Sequence, residues 1–119
     1  MSIVEDVAGH RVLVVAADGP PVATERDGTD LIGDAMGEGA SWIAIPVARL
    51  SDDFLTLSTG LAGAILQKAV NYRINVAIVG DVSAKMAASK PLNDFVGESN
   101  RGRHVWFVES LEALRARLS

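Results

Sequence analysis

The chain has no cysteine and no long hydrophobic run. Without cysteine it forms neither a disulfide nor a thiolate nucleophile, and it offers no Cys ligand to zinc or to an iron–sulphur cluster. Its main apolar runs, at residues 11–17 and 42–48, are far shorter than the ~20 residues that a membrane-spanning helix needs. The first ten residues lack the basic start and apolar core of a signal peptide. We therefore expect a cytoplasmic protein that does not insert into membranes.

Positive charge is scarce in the first half of the chain, and the formal net charge is −4. Residues 1–59 carry ten acidic and three basic side chains, whereas residues 60–119 carry five acidic and eight basic ones. Proteins that bind nucleic acids rely on neutralising phosphates with clustered Lys and Arg, and no such stripe is visible here. We expect no nucleic-acid partner, and we interpret the uneven charge as a solvated surface rather than a partner-facing one.

Fingerprints of common enzymes and nucleotide-binding proteins are also missing. No GxGxxG follows a predicted strand, no Walker lysine motif is present, and no GxSxG nucleophile turn occurs. The sequence therefore predicts no cofactor and no metal. A small enzyme would have to use Asp52, Asp53, Asp81 or His104 as its acid or base, and those groups would have to meet in one pocket.

The residues that are present predict a single α/β domain over residues 1–119, with the element order ββαβαβαβα. Alternation of short apolar runs with helical patterns favours a mixed, mostly parallel sheet with helices packed on it. The opening pair of strands forms a hairpin, because Gly9 supplies the positive φ of a tight turn. The predicted strands lie at 3–7, 11–17, 42–47, 75–80 and 105–108, and the predicted helices at 24–39, 60–73, 84–88, 91–100 and 111–118.

Helix 60–73 has the clearest pattern in the chain. We expect Ser58 or Thr59 to be its N-cap. The helical spacing predicts one buried face, made of Leu61, Ala62, Ile65, Leu66, Ala69 and Tyr72.

Helix 24–39 carries acidic residues near one face. Asp27 or Thr29 is expected to cap its start. Asp27, Asp30 and Asp34 follow helical spacing, which permits a site for a hard cation. The favoured interpretation is a solvated face whose early acids suit the helix dipole.

Candidate site residues follow the carboxyl ends of the parallel strands, where open α/β sheets bind ligands. Thr59 would lie at a helix N-terminus, a position that suits a phosphate or a phosphorylated hydroxyl, although spacing alone favours a simple helix cap. Ser83 is expected to cap the helix at 84–88. The candidate switch residues are Thr59 and Ser58, and the candidate ligand or partner surface is Asp53, Gly60, Asp81 and Ser83.

Two long stretches carry a family resemblance over residues 3–118. They are DDFLTLSTGLAGAILQKAVNYRINVAIVGD and SKPLNDFVGESNRGRHVWFV. With them the chain resembles a bacterial family catalogued as domain of unknown function 4180. That resemblance implies no activity.

Residues 42–118 also resemble, more distantly, the STAS domain of sulphate transporters and anti-sigma-factor antagonists. The matching pieces are Ser58-Thr59-Gly60-Leu61, Val79-Gly80 and Ser110-Leu111-Glu112. The resemblance implies a STAS-like fold and phosphorylation of Thr59 by a partner kinase, which would abolish partner binding. Leu57 stands where that family has an Asp.

These observations lead to a regulatory or protein-interaction module without enzymatic activity as the first hypothesis. Its surface would be the rim around Asp53, Ser58, Thr59 and Asp81, together with the exposed side of helix 60–73. One alternative is a small-molecule or nucleotide binder at the same rim. Another is a small enzyme that uses Asp53, Asp81 or His104. An exposed sheet edge could also support a homodimer.

Overall fold

The computed structural model describes residues 2–119, and a five-stranded sheet lies at its centre. The strands are β1 (Ser2–Val7), β2 (His10–Val15), β3 (Trp42–Pro46), β4 (Asn75–Val79) and β5 (Val105–Val108), and they lie side by side in that order. The helices are α1 (Glu25–Gly37), α2 (Asp52–Leu55), α3 (Leu61–Asn71), α4 (Ser83–Ala88), α5 (Lys90–Arg101) and α6 (Leu111–Leu118).

The sheet is mixed and mostly parallel, as predicted. Strands β1 and β2 pair antiparallel, and all other neighbours pair parallel. The hairpin turn consists of Ala8 and Gly9, at φ 50° and 86°. Positive φ at both central residues is typical of a type I′ turn, whose twist matches that of the flanking strands. Because β2–β5 are parallel, their carboxyl ends share one edge of the sheet. The predicted order ββαβαβαβα roughly matches: the strands and the alternation agree, but two helices, α2 and α3, lie between β3 and β4, and two, α4 and α5, lie between β4 and β5.

The two faces of the sheet are covered very differently. The larger core packs α1, α3 and α5 on one face, with α2 and α4 at its border. On the other face, α6 is the only helix of the described residues 2–119 that contributes side chains, with Leu114 and Leu118 over Val12, Trp42 and Ala77. The continuously apolar run VLVVAA at residues 12–17 predicts a central strand covered on both faces, but Val14 of β2 is only half-buried. One short helix is too small to cover this face completely.

Helices α1 and α3 approach each other closely at Gly28. A Cβ atom at Gly28 would lie 2.6–2.7 Å from three side-chain carbon atoms of Ile65. The buried face of α3 is as predicted from Leu61 to Ala69, but Tyr72 is 50% exposed. Tyr72 follows the last residue of α3, and its C-cap backbone turns away from the helical path. Helical spacing therefore does not place it on the buried face.

The start of α1 differs from the expected one. Thr24, rather than Asp27 or Thr29, is the N-cap, and its hydroxyl accepts a hydrogen bond from the backbone N–H of Asp27 at 3.2 Å. Asp27 returns the bond, since its carboxylate accepts from the N–H groups of Ala23 and Thr24 at 2.9 and 3.0 Å. This reciprocal capping box satisfies free donors at the helix start. The backbone bond from Ala23, together with those of Thr24, lowers the pKa of Asp27.

An ion pair fastens α6 to β1 across the less covered face. The guanidinium of Arg115 donates to both carboxylate oxygens of Glu5, at 2.5 and 2.8 Å. Both side chains are partly exposed, at 42% and 30%, so the solvent screens the pair. The hydrogen bonds from Arg115 lower the pKa of Glu5 below its usual value.

The Glu5–Arg115 pair predicts a small dependence of stability on pH. Because the pKa of Glu5 is lower in the folded than in the unfolded chain, its contribution is present above the unfolded value, ~4.3, and is lost as the pH falls through the folded value. We expect Glu5→Gln to be less stable than wild type at pH 7 and equally stable well below pH 4. Urea denaturation across this range measures the difference. Arg115→Gln should show the same dependence on pH. A difference in unfolding free energy between wild type and Glu5→Gln that stays constant at every pH would contradict the prediction.

Candidate functional site

The loop after β3 carries the main candidate residues. The hydroxyl of Ser51 caps α2 by accepting from the N–H of Phe54 at 3.2 Å. Within α2, Phe54 and Leu55 are buried whereas Asp53 is exposed. Burial of Phe54 and Leu55 fixes this short helix against the core. Asp53 therefore lies beyond the carboxyl ends of the parallel strands.

The hydroxyl of Thr59 closes this loop. It lies 2.7 Å from the carbonyl oxygen of Asp53 and 2.9 Å from that of Thr56, and it donates its single proton to these acceptors. Its oxygen also accepts from the backbone N–H of Leu61 at 3.3 Å. Gly60, at φ 79°, occupies the N-cap position of α3, so the expectation of Ser58 or Thr59 as N-cap is wrong. Thr59 still satisfies one free N–H of the helix from the preceding position.

Thr59 borders a hollow of about 270 Å³ that also contains carboxylates. Its lining consists of Ala23, Glu25, Asp53, Thr59, Gly60 and Leu61. The start of α3 contributes a positive end equivalent to roughly half a charge, whereas Glu25 and Asp53 each contribute a full negative charge. The carboxylates outweigh the helix end, so the hollow as built disfavours a free anion. Ser58 is exposed and does not line it.

Asp81 and Ser83 lie in a different hollow, of about 200 Å³, beyond the carboxyl ends of β4 and β5. Ser83 does not cap α4; its backbone N–H donates to the carboxylate of Asp81 at 2.8 Å, and Val82 occupies the N-cap position. Hydrogen bonding by the hydroxyl and the N–H of Ser83 lowers the pKa of Asp81. Glu109 lines the same hollow. The predicted single rim therefore consists of two separate hollows.

An exposed ion pair spans the rim. The ammonium group of Lys85 on α4 lies 3.0 Å from the carboxylate of Asp52 on α2. The Asp52 side chain is 89% exposed, so we expect this pair to contribute little to stability.

His104 lies far from the other candidate acids and bases. It precedes β5, and its ring Nδ1 is 3.1 Å from the side-chain oxygen of Asn75 at the start of β4. The starts of the parallel strands form the edge of the sheet opposite to the one that carries Asp53 and Asp81. An active site in which His104 and Asp53 act on the same substrate is therefore incompatible with this fold.

Sequence reasoning missed Glu25 as a neighbour of Thr59. The Thr24-x-x-Asp27 spacing is a capping-box pattern, and recognising it would have put the start of α1 at Glu25. That pattern predicts where α1 begins in the sequence, but it does not predict that the start of α1 lies beside the start of α3, which is what brings Glu25 near Thr59.

No group of three or more His, Asp or Glu side chains within residues 2–119 is placed to hold a metal ion. Asp27, one of the residues considered for a hard-cation site, uses its carboxylate in the capping box instead. Over the same residues, no helix combines the length and the apolar character needed to cross a membrane.

An apolar groove lies beside α6 on the less covered face of the sheet. Its volume is about 380 Å³, and its lining includes Ile3, Val14, Pro46, Val79 and Leu111. Ile3 is 59% exposed, more than the other exposed large hydrophobic residues of the described chain. The groove exists because α6 covers only part of this face.

Comparison with known proteins identifies one family. Among curated proteins and among solved structures nothing matches the chain, so the resemblance to the STAS domain stays a prediction. A family model described as a domain of unknown function (DUF4180) matches residues 7–118, from the last residue of β1 to the end of α6. The chain therefore belongs to the DUF4180 family.

Proposed function

We propose that this protein is a regulatory or protein-interaction module of the bacterial cytoplasm, without enzymatic activity of its own. Its partner surface consists of the rim around Asp53 and Thr59 and the exposed side of α3. The observation that carries the proposal is the position of the Thr59 hydroxyl. It is exposed, it lies beside a helix N-terminus, and it holds the loop from Asp53 to Thr59 closed.

Phosphorylation of Thr59 by a partner kinase would act on this loop directly. Transfer of the γ-phosphoryl group from a nucleoside triphosphate breaks its bond to the β–γ bridging oxygen and forms a bond from the γ-phosphorus to the Thr59 oxygen. The nucleoside diphosphate leaves, and the hydroxyl proton is released. The donor to the carbonyl of Asp53 is lost, and a charge of about −1.5 to −2 is added. That charge lies beside Glu25 and Asp53, whose repulsion exceeds the attraction of the helix end. The loop therefore opens, and the partner surface changes shape.

Phosphopeptide mass spectrometry on the protein pulled from its native cells tests the switch first. The same sample identifies the proteins that co-purify with it. We expect phosphate on Thr59 and a companion protein of kinase or regulator type. A companion protein with Thr59 unmodified in every growth condition would support an interaction module and contradict the switch.

Binding of that companion by two matched variants locates the switch. Thr59→Asp places a negative charge in the hollow and removes the hydroxyl, and we expect it to weaken binding by about tenfold or more. Ser58→Asp adds the same charge to an exposed neighbour that does not line the hollow and keeps the Thr59 hydroxyl, so we expect it to weaken binding less than Thr59→Asp does. Isothermal titration calorimetry measures both, with circular dichroism as the check on folding. Equal affinities for wild type and Thr59→Asp would overturn the switch.

A small-molecule binder at the rim is the second candidate. The hollow around Asp81 and Ser83 supports it, because ligands of open α/β sheets bind at the carboxyl ends of strands. Titration of the protein with nucleotides and with phosphate and acyl anions tests this candidate. Flat titrations throughout would contradict it.

A further inference from the structure

Strand β1 is an open edge of the sheet. Its neighbour on one side is β2, with which its six residues pair in unbroken register. Three features that block an edge, a proline, a lysine and a bulge, are absent from Ser2–Val7, and the charged residues of this strand are the acidic Glu5 and Asp6. Ile3 on this strand is 59% exposed and borders the apolar groove beside α6. The strand thus presents unpaired backbone groups next to an apolar surface.

The outer strand on the other side of the sheet, β5, is closed to an added strand. Strand β5 is shorter, with four residues, and α5 packs against it. The backbone N–H of Phe107 donates to the side-chain oxygen of Asn100 at 2.7 Å, which fills a position that an added strand would need. The indole N–H of Trp106 donates to the carbonyl of Gly102 at 2.9 Å. Any strand added to this sheet is therefore expected at β1.

The hairpin turn determines which backbone groups of β1 point outward. In a two-residue hairpin the residues that flank the turn, here Val7 and His10, exchange both of their backbone hydrogen bonds. Every second residue along β1 exchanges hydrogen bonds with its partner in β2 in the same way, so Ile3 and Glu5 also direct their N–H and C=O groups toward β2. Ser2, Val4 and Asp6 direct theirs away from the sheet.

We propose that two copies of this chain associate through β1, antiparallel, about a twofold axis at Val4, so that one continuous sheet crosses both copies. In this register Val4 exchanges both backbone hydrogen bonds with Val4 of the second copy, and Ser2 does the same with Asp6 of the second copy. All outward-facing groups of these three residues are then paired. The interface is isologous, as closed dimers require.

The charges on β1 select this register. With the axis at Val4, Ile3 faces Glu5 of the second copy, and Glu5 is already neutralised by Arg115 of its own chain. Moving the axis to Asp6 would set this carboxylate against itself, which destabilises a strand pair. Moving it to Glu5 would place Ser2 opposite the turn residue Ala8 and leave the outward groups of Ser2 unpaired. Moving it to Ile3 would pair the outward groups of only Ser2 and Val4 within the described strand. The Val4 register also brings a second strand beside Ile3, at the border of the apolar groove.

A matched pair of substitutions at one exposed position tests the proposal. Asp6→Pro removes an outward N–H and keeps the bonds of β1 to β2, because proline is tolerated where an edge N–H faces solvent. Asp6→Ala removes the same carboxylate and keeps that N–H. Sedimentation velocity over a concentration series measures association, and circular dichroism checks that each variant is folded.

We expect wild type and Asp6→Ala to form dimers with a dissociation constant in roughly the micromolar range, typical of a small interface. We expect Asp6→Pro to dimerise about tenfold more weakly or worse, since each dimer loses the donor twice by symmetry. Wild type that stays monomeric up to high micromolar concentration would overturn the proposal. A dimer that Asp6→Pro leaves unchanged would also overturn it. Both readouts are independent of Thr59 and of any partner protein.

Discussion

Replacing Phe54 with Ala is expected to lower the free energy of unfolding by about 3–5 kcal/mol. Phe54 is 1% exposed and is one of the largest fully buried side chains of the described protein. Its removal leaves a cavity under α2, and the surrounding core can fill that cavity only in part. Urea denaturation measures the loss as a lower midpoint with an unchanged dependence on denaturant.

Asp52→Ala is the matched control on the same short helix. The side chain of Asp52 is 89% exposed and makes an ion pair with Lys85 on the surface, so we expect a change of at most about 0.5 kcal/mol. A loss below about 1 kcal/mol in Phe54→Ala would mean that α2 is not anchored by the core. Because Asp53 belongs to the same helix, Phe54→Ala should also displace the Asp53 carbonyl that binds the Thr59 hydroxyl and weaken partner binding.

Gly28→Ala is expected to destabilise the protein by about 1–2 kcal/mol, although alanine favours helices more than glycine does. The new methyl group would lie 2.6–2.7 Å from Cγ1, Cγ2 and Cδ1 of Ile65. Two of these atoms are bonded to the Cβ of a β-branched residue, whose rotamer is nearly fixed in a helix. Relief therefore requires α1 and α3 to move apart. Thermal or urea denaturation measures the effect.

Gly33→Ala in the same helix is the control. No atom lies within 4 Å of a Cβ at Gly33, so we expect the gain in helix propensity alone, up to about 1 kcal/mol of added stability. The two variants should then differ by about 1–3 kcal/mol. Combining Gly28→Ala with Ile65→Ala tests the contact itself. We expect a favourable coupling of about 0.5–3 kcal/mol, and additive effects would show that Ile65 is not the residue displaced.

The architecture could be predicted from the sequence because it depends on local patterns. Alternating apolar runs and helical spacing gave the order of elements, and Ala8-Gly9 gave the hairpin at the start of the sheet. Pro46 is the last residue of β3, which is where the sequence predicts a residue that has no backbone N–H for the strand ladder. The errors lie at the ends of helices. Thr24, Gly60 and Val82 occupy the N-cap positions for which other residues were expected.

The candidate site could be predicted only in part. The carboxyl ends of the strands do carry Asp53, Thr59 and Asp81, as the rule for open α/β sheets implies. The division into two hollows depends on where α2 and α4 lie over those ends, and no short-range pattern contains that information. Glu25 reaches Thr59 only because the starts of α1 and α3 lie side by side.

Composition and local pattern are enough for the α/β class, the hairpin, the absence of thiol chemistry and the family of this protein. Which sheet faces and edges are covered, and which are left exposed, depends on contacts between segments that are distant in the chain. Glu5 and Arg115 are separated by 110 positions in the chain, yet their ion pair fastens α6 over part of one sheet face and leaves a groove beside it. Likewise, Asn100 closes the edge at β5, whereas nothing described closes the edge at β1. Local propensity acts over a few residues, but coverage of a face or an edge depends on packing between distant segments.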